Sequence, residues 1–162
     1  MDQQFNQECI EEHNRVRSLH GCPPLELDVD LAQRAQAHCE KMAANKLMHH
    51  RLEFGHGENL CMWEGNHPIQ LNGKQLTLRW YGEIIKFNFG QEKQHSSGNF
   101  SQIVWKSTQR AGFGRQVTAN GCGIYIAAYY APCGNIVGQF SENVPPPING
   151  VMYVPTDEEK GW

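Results

Sequence analysis

The stretch GNFSQIVWKSTQRAGFG, residues 98–114, changes character partway along. Its first half opens on the small turn residues Gly98 and Asn99. An aromatic, an apolar run and a tryptophan follow, and GNFSQIVWKS reads as a short helix. From Ala111 the pattern becomes extended, and AGFGRQVT reads as a strand. GIYIAAYYA, residues 123–131, reads as its partner, joined through ANGC with its Asn-Gly turn signal. A last strand is expected over NIVGQFSE, residues 135–142.

Upstream, QFNQECIEEHNRVRSLHG places Phe5, Cys9, Ile10, His13, Val16 and Leu19 near one helical face, with Gly21 as the stop. CPPLELDVD is an extended connector, because its prolines do not continue a helix. Asp28 or Asp30 caps a second helix whose stripe is Leu31, Ala35, Cys39 (or His38) and Met42. The His- and Gly-rich loop MHHRLEFGHG follows, then the short element ENLCMW. NHPIQLNGKQLTLRWYGEIIKFNF reads as a turn and a third helix with Leu76, Trp80 and Ile84 in its core stripe. Helices first and strands later predict an α+β fold, with helices layered on an antiparallel sheet. One domain spans residues 1–148, and the Pro-rich, then acidic, segment 149–162 is expected to be a loosely packed tail.

The chain has 162 residues, 40% hydrophobic and 19% charged, enough for one core of ordinary size. The net charge of −3 and the scattered basic residues argue against nucleic acid as a partner. No apolar run approaches the roughly 20 residues of a membrane span. The N-terminus MDQQFNQECI lacks both a signal-peptide pattern and the Met-Gly start of a myristoylation site. The six cysteines show no close Cys-x-x-Cys pair, so reduced thiols are expected and a zinc knot is not.

Four blocks, in order, carry a resemblance: EEHNRVRSLHGCPPLEL, GHGENL, GNFSQIVWKSTQRAGFG and YYAPCGNIVGQFSENVPPP. Together they resemble the CAP superfamily of cysteine-rich secretory proteins, antigen 5 and plant pathogenesis-related proteins. The ending FSENVPPP most resembles the Golgi-associated, plant-pathogenesis-related-like, non-secreted subgroup. The resemblance implies an α–β–α sandwich with a small antiparallel sheet between helical layers. It also implies a cleft with two histidines and two glutamates.

On this sequence the resemblance puts His50 (with His49 as the fallback), Glu58 and Glu83 in that cleft. The second histidine position, before Phe100, holds Asn99. Related proteins bind zinc through the two imidazoles. Asparagine offers only a neutral carbonyl oxygen, so His50 stands as a weak metal ligand and no cofactor is required here. His56 and His95 are the nearby imidazoles that stand as substitutes for the missing one.

The resemblance further implies a non-catalytic binding or scaffold role, on lipid, a membrane surface or a protein partner, with homodimerisation. Cytoplasmic, membrane- or Golgi-associated localisation goes with it. A basic patch for anionic lipid would draw on Arg15, Arg17, Lys41, Lys46 and Arg51. Sterol or fatty-acid binding in the superfamily makes Tyr125, Tyr129 and Tyr130 candidate lipid-lining residues, against the plainer reading as core and sheet face. Secreted members carry a cysteine where Ala128 stands here, which favours the intracellular subgroup. The sequon Asn99-Phe100-Ser101 would place a glycan inside the cleft, and points the same way.

Two alternatives stay open. One is a secreted, venom-allergen-like defence or host-interaction protein with disulfides and an immune-modulating role. The other is a metal-dependent hydrolase using the cleft glutamates. Ser97, Ser101 or Ser107 with His95 and Glu58 would make a serine triad, but no Gly-x-Ser-x-Gly elbow is present. Cys61 and Cys133 are the candidate thiol nucleophiles.

Overall fold

A computed structural model describes residues 1–50 and 55–162. The order is α1 (Gln3–Leu19), β1 (Glu26–Leu27), α2 (Val29–Asn45), β2 (Gly57–Glu64), α3 (Gly73–Tyr81), α4 (Gly98–Val104), β3 (Arg110–Val117), β4 (Gly123–Ala131) and α5 (Phe140–Asn143). The strands form one sheet in the order β1-β3-β4-β2, with β1 parallel to β3 and the other neighbours antiparallel.

Each helix starts where a side chain takes up free N–H groups. Asp2 accepts from Phe5 N at 3.0 Å, and Asp28 accepts from Leu31 N at 3.0 Å. Asn72 and Gln75 close a reciprocal capping box at the start of α3. Gly21, with φ +71°, ends α1, and Cys22 N returns to the Arg17 carbonyl at 3.0 Å.

Strand β4 is buried along its whole length and decides the layering. Ile124, Ile126, Ala128 and Tyr130 enter the core shared with α1, α3 and α4. The alternate residues Tyr125, Ala127, Tyr129 and Ala131 pack with Leu31, Ala35, Cys39 and Met42 of α2. The sheet therefore lies between two helical layers, the expected sandwich. On the α2 side the approach is close enough to require glycine. A Cβ on Gly112 would stand 2.1 Å from Ala32 N, and one on Gly114 would stand 2.4 Å from the Ala35 carbonyl carbon.

Several expectations change. ENLCMW is the heart of a full edge strand, β2, because it pairs with β4 from Gly57↔Tyr130 to Glu64↔Gly123. NIVGQFSE is not a strand. Gly138 takes φ +91° and Ile136 and Val137 are exposed, so the segment offers no core face; the Glu92 carboxylate instead binds Phe140 N and Ser141 N and starts α5. The third helix tightens into a 3-10 turn at Gly82–Lys86, still burying Leu76, Trp80 and Ile84. The segment 149–162 has no helix or strand, yet it is fastened to the domain. Arg79 donates to the Lys160 and Gly161 carbonyls, Tyr153 stacks on Tyr81, and the Trp162 ring is met by the cations of both Arg79 and Lys160.

Tyr125, Tyr129 and Tyr130 do not share a lipid pocket. Strand alternation sends Tyr130 to the opposite face from the other two, and all three are buried in packed core. Arg17 leaves the expected basic patch, because it is fully buried and donates to the carbonyls of Pro23, Ile103, Trp105 and Thr108. Arg51 lies outside the described residues.

Candidate functional site

The four residues that the resemblance assigns to a cleft lie on four elements. His50 follows the end of α2, Glu58 sits at the start of β2, Glu83 lies in the 3-10 turn, and Asn99 is in the first turn of α4. They meet as two pairs. His50 Nδ1 donates to Glu58 Oε1 at 2.7 Å; the imidazole is 69% exposed and the carboxylate only 9%. Glu83 Oε2 accepts from the Asn99 side-chain amide at 2.9 Å, while Glu83 Oε1 accepts from Asn99 N at 2.9 Å and Phe100 N at 3.2 Å. Glu83 thus serves the first N–H groups of α4, where Ser97 makes no side-chain cap. Burial raises its carboxyl above the ordinary value, and these three donors pull against that rise.

Asn59, next to Glu58, joins the two pairs. Its amide donates to the Asn99 carbonyl at 3.1 Å and to the Tyr130 hydroxyl at 3.3 Å. Tyr130 in turn meets His13 Nε2 at 2.8 Å, and His13 Nδ1 meets the Cys9 carbonyl at 2.8 Å. A carbonyl only accepts, so His13 carries its proton on Nδ1 and Nε2 accepts from the tyrosine. This buried chain runs from α1 to Asn59 and the Asn99 carbonyl. His13 is on the core face as its helical spacing predicts, whereas the role of Asn59 is not legible in the sequence beyond its being an amide beside Glu58.

A second imidazole lies beside Glu58. His38, 2% exposed, has Nε2 3.8 Å from Glu58 Oε2 and 2.8 Å from the His49 carbonyl. By periodicity His38 is an alternative to Cys39 in the core stripe, and both are buried. His95 is exposed at the surface.

These residues do not suit a two-imidazole zinc site. The Asn99 amide is turned to Glu83 as a donor, and that glutamate is occupied by three N–H groups. Among the described residues, no three His, Cys, Asp or Glu groups are arranged to hold a metal ion. The serine triads are not assembled either. Ser101 Oγ donates to Asn135 Oδ1 and main-chain carbonyls, Ser97 is buried, and Ser107 is exposed. Burial raises the Cys61 thiol pKa, the wrong direction for a nucleophile. All six cysteines stand unpaired. The sequon is folded into α4, with its Asn99 amide engaged and its Ser101 buried.

The family model described as "CAP: Cysteine-rich secretory protein family" matches residues 10–130. The chain belongs to the CAP family. The human protein "Golgi-associated plant pathogenesis-related protein 1" is 38% identical over 150 residues, covering 89% of this chain and 94% of that protein. Among solved structures, BmVAL-1 superposes with a TM-score of 0.69 at 18% identity, covering 85% of this chain and 81% of that one. NaASP2, solved with Zn2+, gives 0.67 at 23% identity, covering 99% of this chain and 95% of that one. At those identities the two structures speak to the fold, and they bear out the sandwich. The resemblance to the CAP superfamily and its Golgi-associated branch is likewise borne out. No helix among the described residues is long and apolar enough to cross a membrane.

Proposed function

We propose that this CAP domain is a non-catalytic binding or scaffold module acting at a membrane surface or on a lipid or protein partner. The observation that carries the reading is the closure of Glu83 by Asn99. A carboxylate holding three N–H donors is a structural cap, and it is not free to hold a metal-bound water or to move a proton. The other pair is the exposed His50 imidazole on the Glu58 carboxylate, and among the described residues no three His, Cys, Asp or Glu groups are arranged to hold a metal ion.

Zinc calorimetry on the metal-stripped protein beside Asn99→His tests the reading. The variant is expected to bind more tightly than the natural chain. One tight zinc in the natural chain, with a hydrolytic rate lost in Glu58→Gln, would instead establish the metal-dependent alternative.

The partner class is tested separately by co-sedimentation with vesicles of neutral and of anionic lipid. A cytoplasmic, membrane- or Golgi-associated placement is supported by the name of the human relative and by the unpaired thiols. A thiol count on the unfolded, unreduced protein separates it from the secreted, disulfide-bonded alternative. Homodimerisation belongs to the same proposal, and a monomeric mass across micromolar concentrations would remove it.

A further inference from the structure

We propose that His38 is a positioning residue, holding the His49–His50 peptide so that the His50 ring meets Glu58. The proposal rests on the reading of the cleft as a His50–Glu58 pair beside a capped Glu83.

The segment after α2 has little else to fix it among the described residues. Lys46 turns the chain at φ +50°, a strained conformation for a residue with a Cβ, and Leu47 N closes the helix end on the Met42 carbonyl at 3.1 Å. Leu47 and Met48 are then exposed at 59% and 43%, so apolar burial does not anchor them. The next fixed point is the His49 carbonyl, 2.8 Å from His38 Nε2. That carbonyl and the His50 N–H belong to one planar peptide unit. Fixing its oxygen therefore fixes the direction in which the chain enters His50.

His38 is well placed to act as the fixed end. Its ring stacks on Tyr129 at 6.3 Å and meets the His49 ring edge-on at 5.0 Å. Tyr129 is the cross-strand partner of Glu58, so the residue that holds the His50 peptide rests on the residue that pairs with Glu58. The chemistry also fixes the tautomer. A carbonyl accepts only, so Nε2 of His38 carries the hydrogen. A phenylalanine would fill the same space but lack that donor. A glutamine would restore an N–H donor.

The test combines imidazole nitrogen NMR with zinc affinity in the Asn99→His background. In the natural chain His38 is expected as the Nε2–H tautomer, with the His50 Nδ1–H held by Glu58. His38→Phe should leave the fold intact, release the His50 Nδ1–H to rapid exchange, and weaken zinc binding of the Asn99→His protein by roughly 10-fold or more, the usual effect of losing an orienting partner. His38→Gln should keep both properties near those of the parent. An Nδ1–H tautomer of His38 in the natural chain overturns the proposal without any variant. So does a His38→Phe protein whose His50 signature is unchanged. If Asn99→His binds no zinc, the reading of the cleft fails, while the NMR signals still decide the role of His38.

Discussion

The side-chain amide of Asn59 reaches the main-chain carbonyl of Asn99 at 3.1 Å, tying the strand that carries Glu58 to the helix that receives Glu83. The same amide serves the Tyr130 hydroxyl, so one side chain spans two structural links in a buried setting. Asn59→Leu leaves the Asn99 carbonyl without that donor and is expected to cost about 2–3 kcal/mol. Urea denaturation at neutral pH measures it. A loss below about 0.5 kcal/mol, typical of an ordinary surface change, would show that the bridge contributes little.

Asn99→Asp places a second carboxylate against Glu83 Oε2. Two like charges in a half-buried pair favour sharing a proton, and burial already raises the Glu83 carboxyl above its ordinary value. The variant is expected to lose about 1–3 kcal/mol at neutral pH. The loss should shrink as the pH falls into the carboxylate range and one of the pair takes up a proton. Thermal melts of both proteins across acid pH check this. A deficit that is independent of pH would contradict it.

Arg17 is fully buried, and among the described residues its guanidinium is shared among four main-chain carbonyls with no carboxylate partner. These come from the α1–β1 connector and from the segment spanning the end of α4 and the start of β3. Arg17→Met matches much of the volume but strands those acceptors, so the expected loss is roughly 3–5 kcal/mol. Arg17→Lys should recover only part of it, since an ammonium lacks the planar fork. Stability near that of the parent in the Met variant would return Arg17 to the surface patch first expected.

Gly114→Ala tests the contact between α2 and the sheet. The added methyl would meet the Ala35 and Gln36 backbone at 2.4 Å, and backbone cannot step aside as a flexible side chain does. A loss of about 2–4 kcal/mol or failure to fold is expected, above the usual range for overpacking because the obstacle is a helix. Gly138→Ala probes a different mechanism, since nothing lies near its Cβ and only its φ of +91° opposes the change. Its expected loss is smaller, about 1–2 kcal/mol. Chemical denaturation of the two variants side by side gives the ranking, and the reverse order would refute it.

His13 is fully buried, and burial lowers its pKa from 6.5 to about 3. The unfolded chain therefore binds a proton that the folded chain refuses between those two values. Its contribution to stability is fully present above the unfolded value and is lost as the pH falls towards 3, at up to about 1.4 kcal/mol per pH unit. Burial lowers His20 in the same direction. Urea midpoints from pH 7 to pH 4 should fall with decreasing pH, and His13→Gln should flatten the slope even while lowering stability overall. An unchanged slope in that variant would assign the acid sensitivity to other groups.

Much of the architecture was legible because it depends on local chemistry. A cap at Asp28 or Asp30, the stop at Gly21 and the helical stripes on α1 and α2 are set by spacing and side-chain type, and the structure selects Asp28. The strand expected over residues 135–142 failed for a nonlocal reason. Ile136 and Val137 look strand-forming, but no core face was waiting for them, and Glu92, far away in sequence, offered its carboxylate to a helical turn instead. The tyrosines failed similarly. Composition named an aromatic strand, whereas the pleat put Tyr130 on one face and Tyr125 and Tyr129 on the other.

The sequence by itself determined the family and the α+β layering, because motif order and periodicity survive without coordinates. It also put Asn99 at the position where the family resemblance leads one to expect a second imidazole. Only the tertiary structure decided what each group does. Glu83 became a helix cap, Asn59 a bridge and Arg17 a buried clamp, while His38 was brought beside Glu58. Those roles depend on hydrogen bonds between residues far apart in the chain, whose direction is fixed only when helices and sheet close on one another.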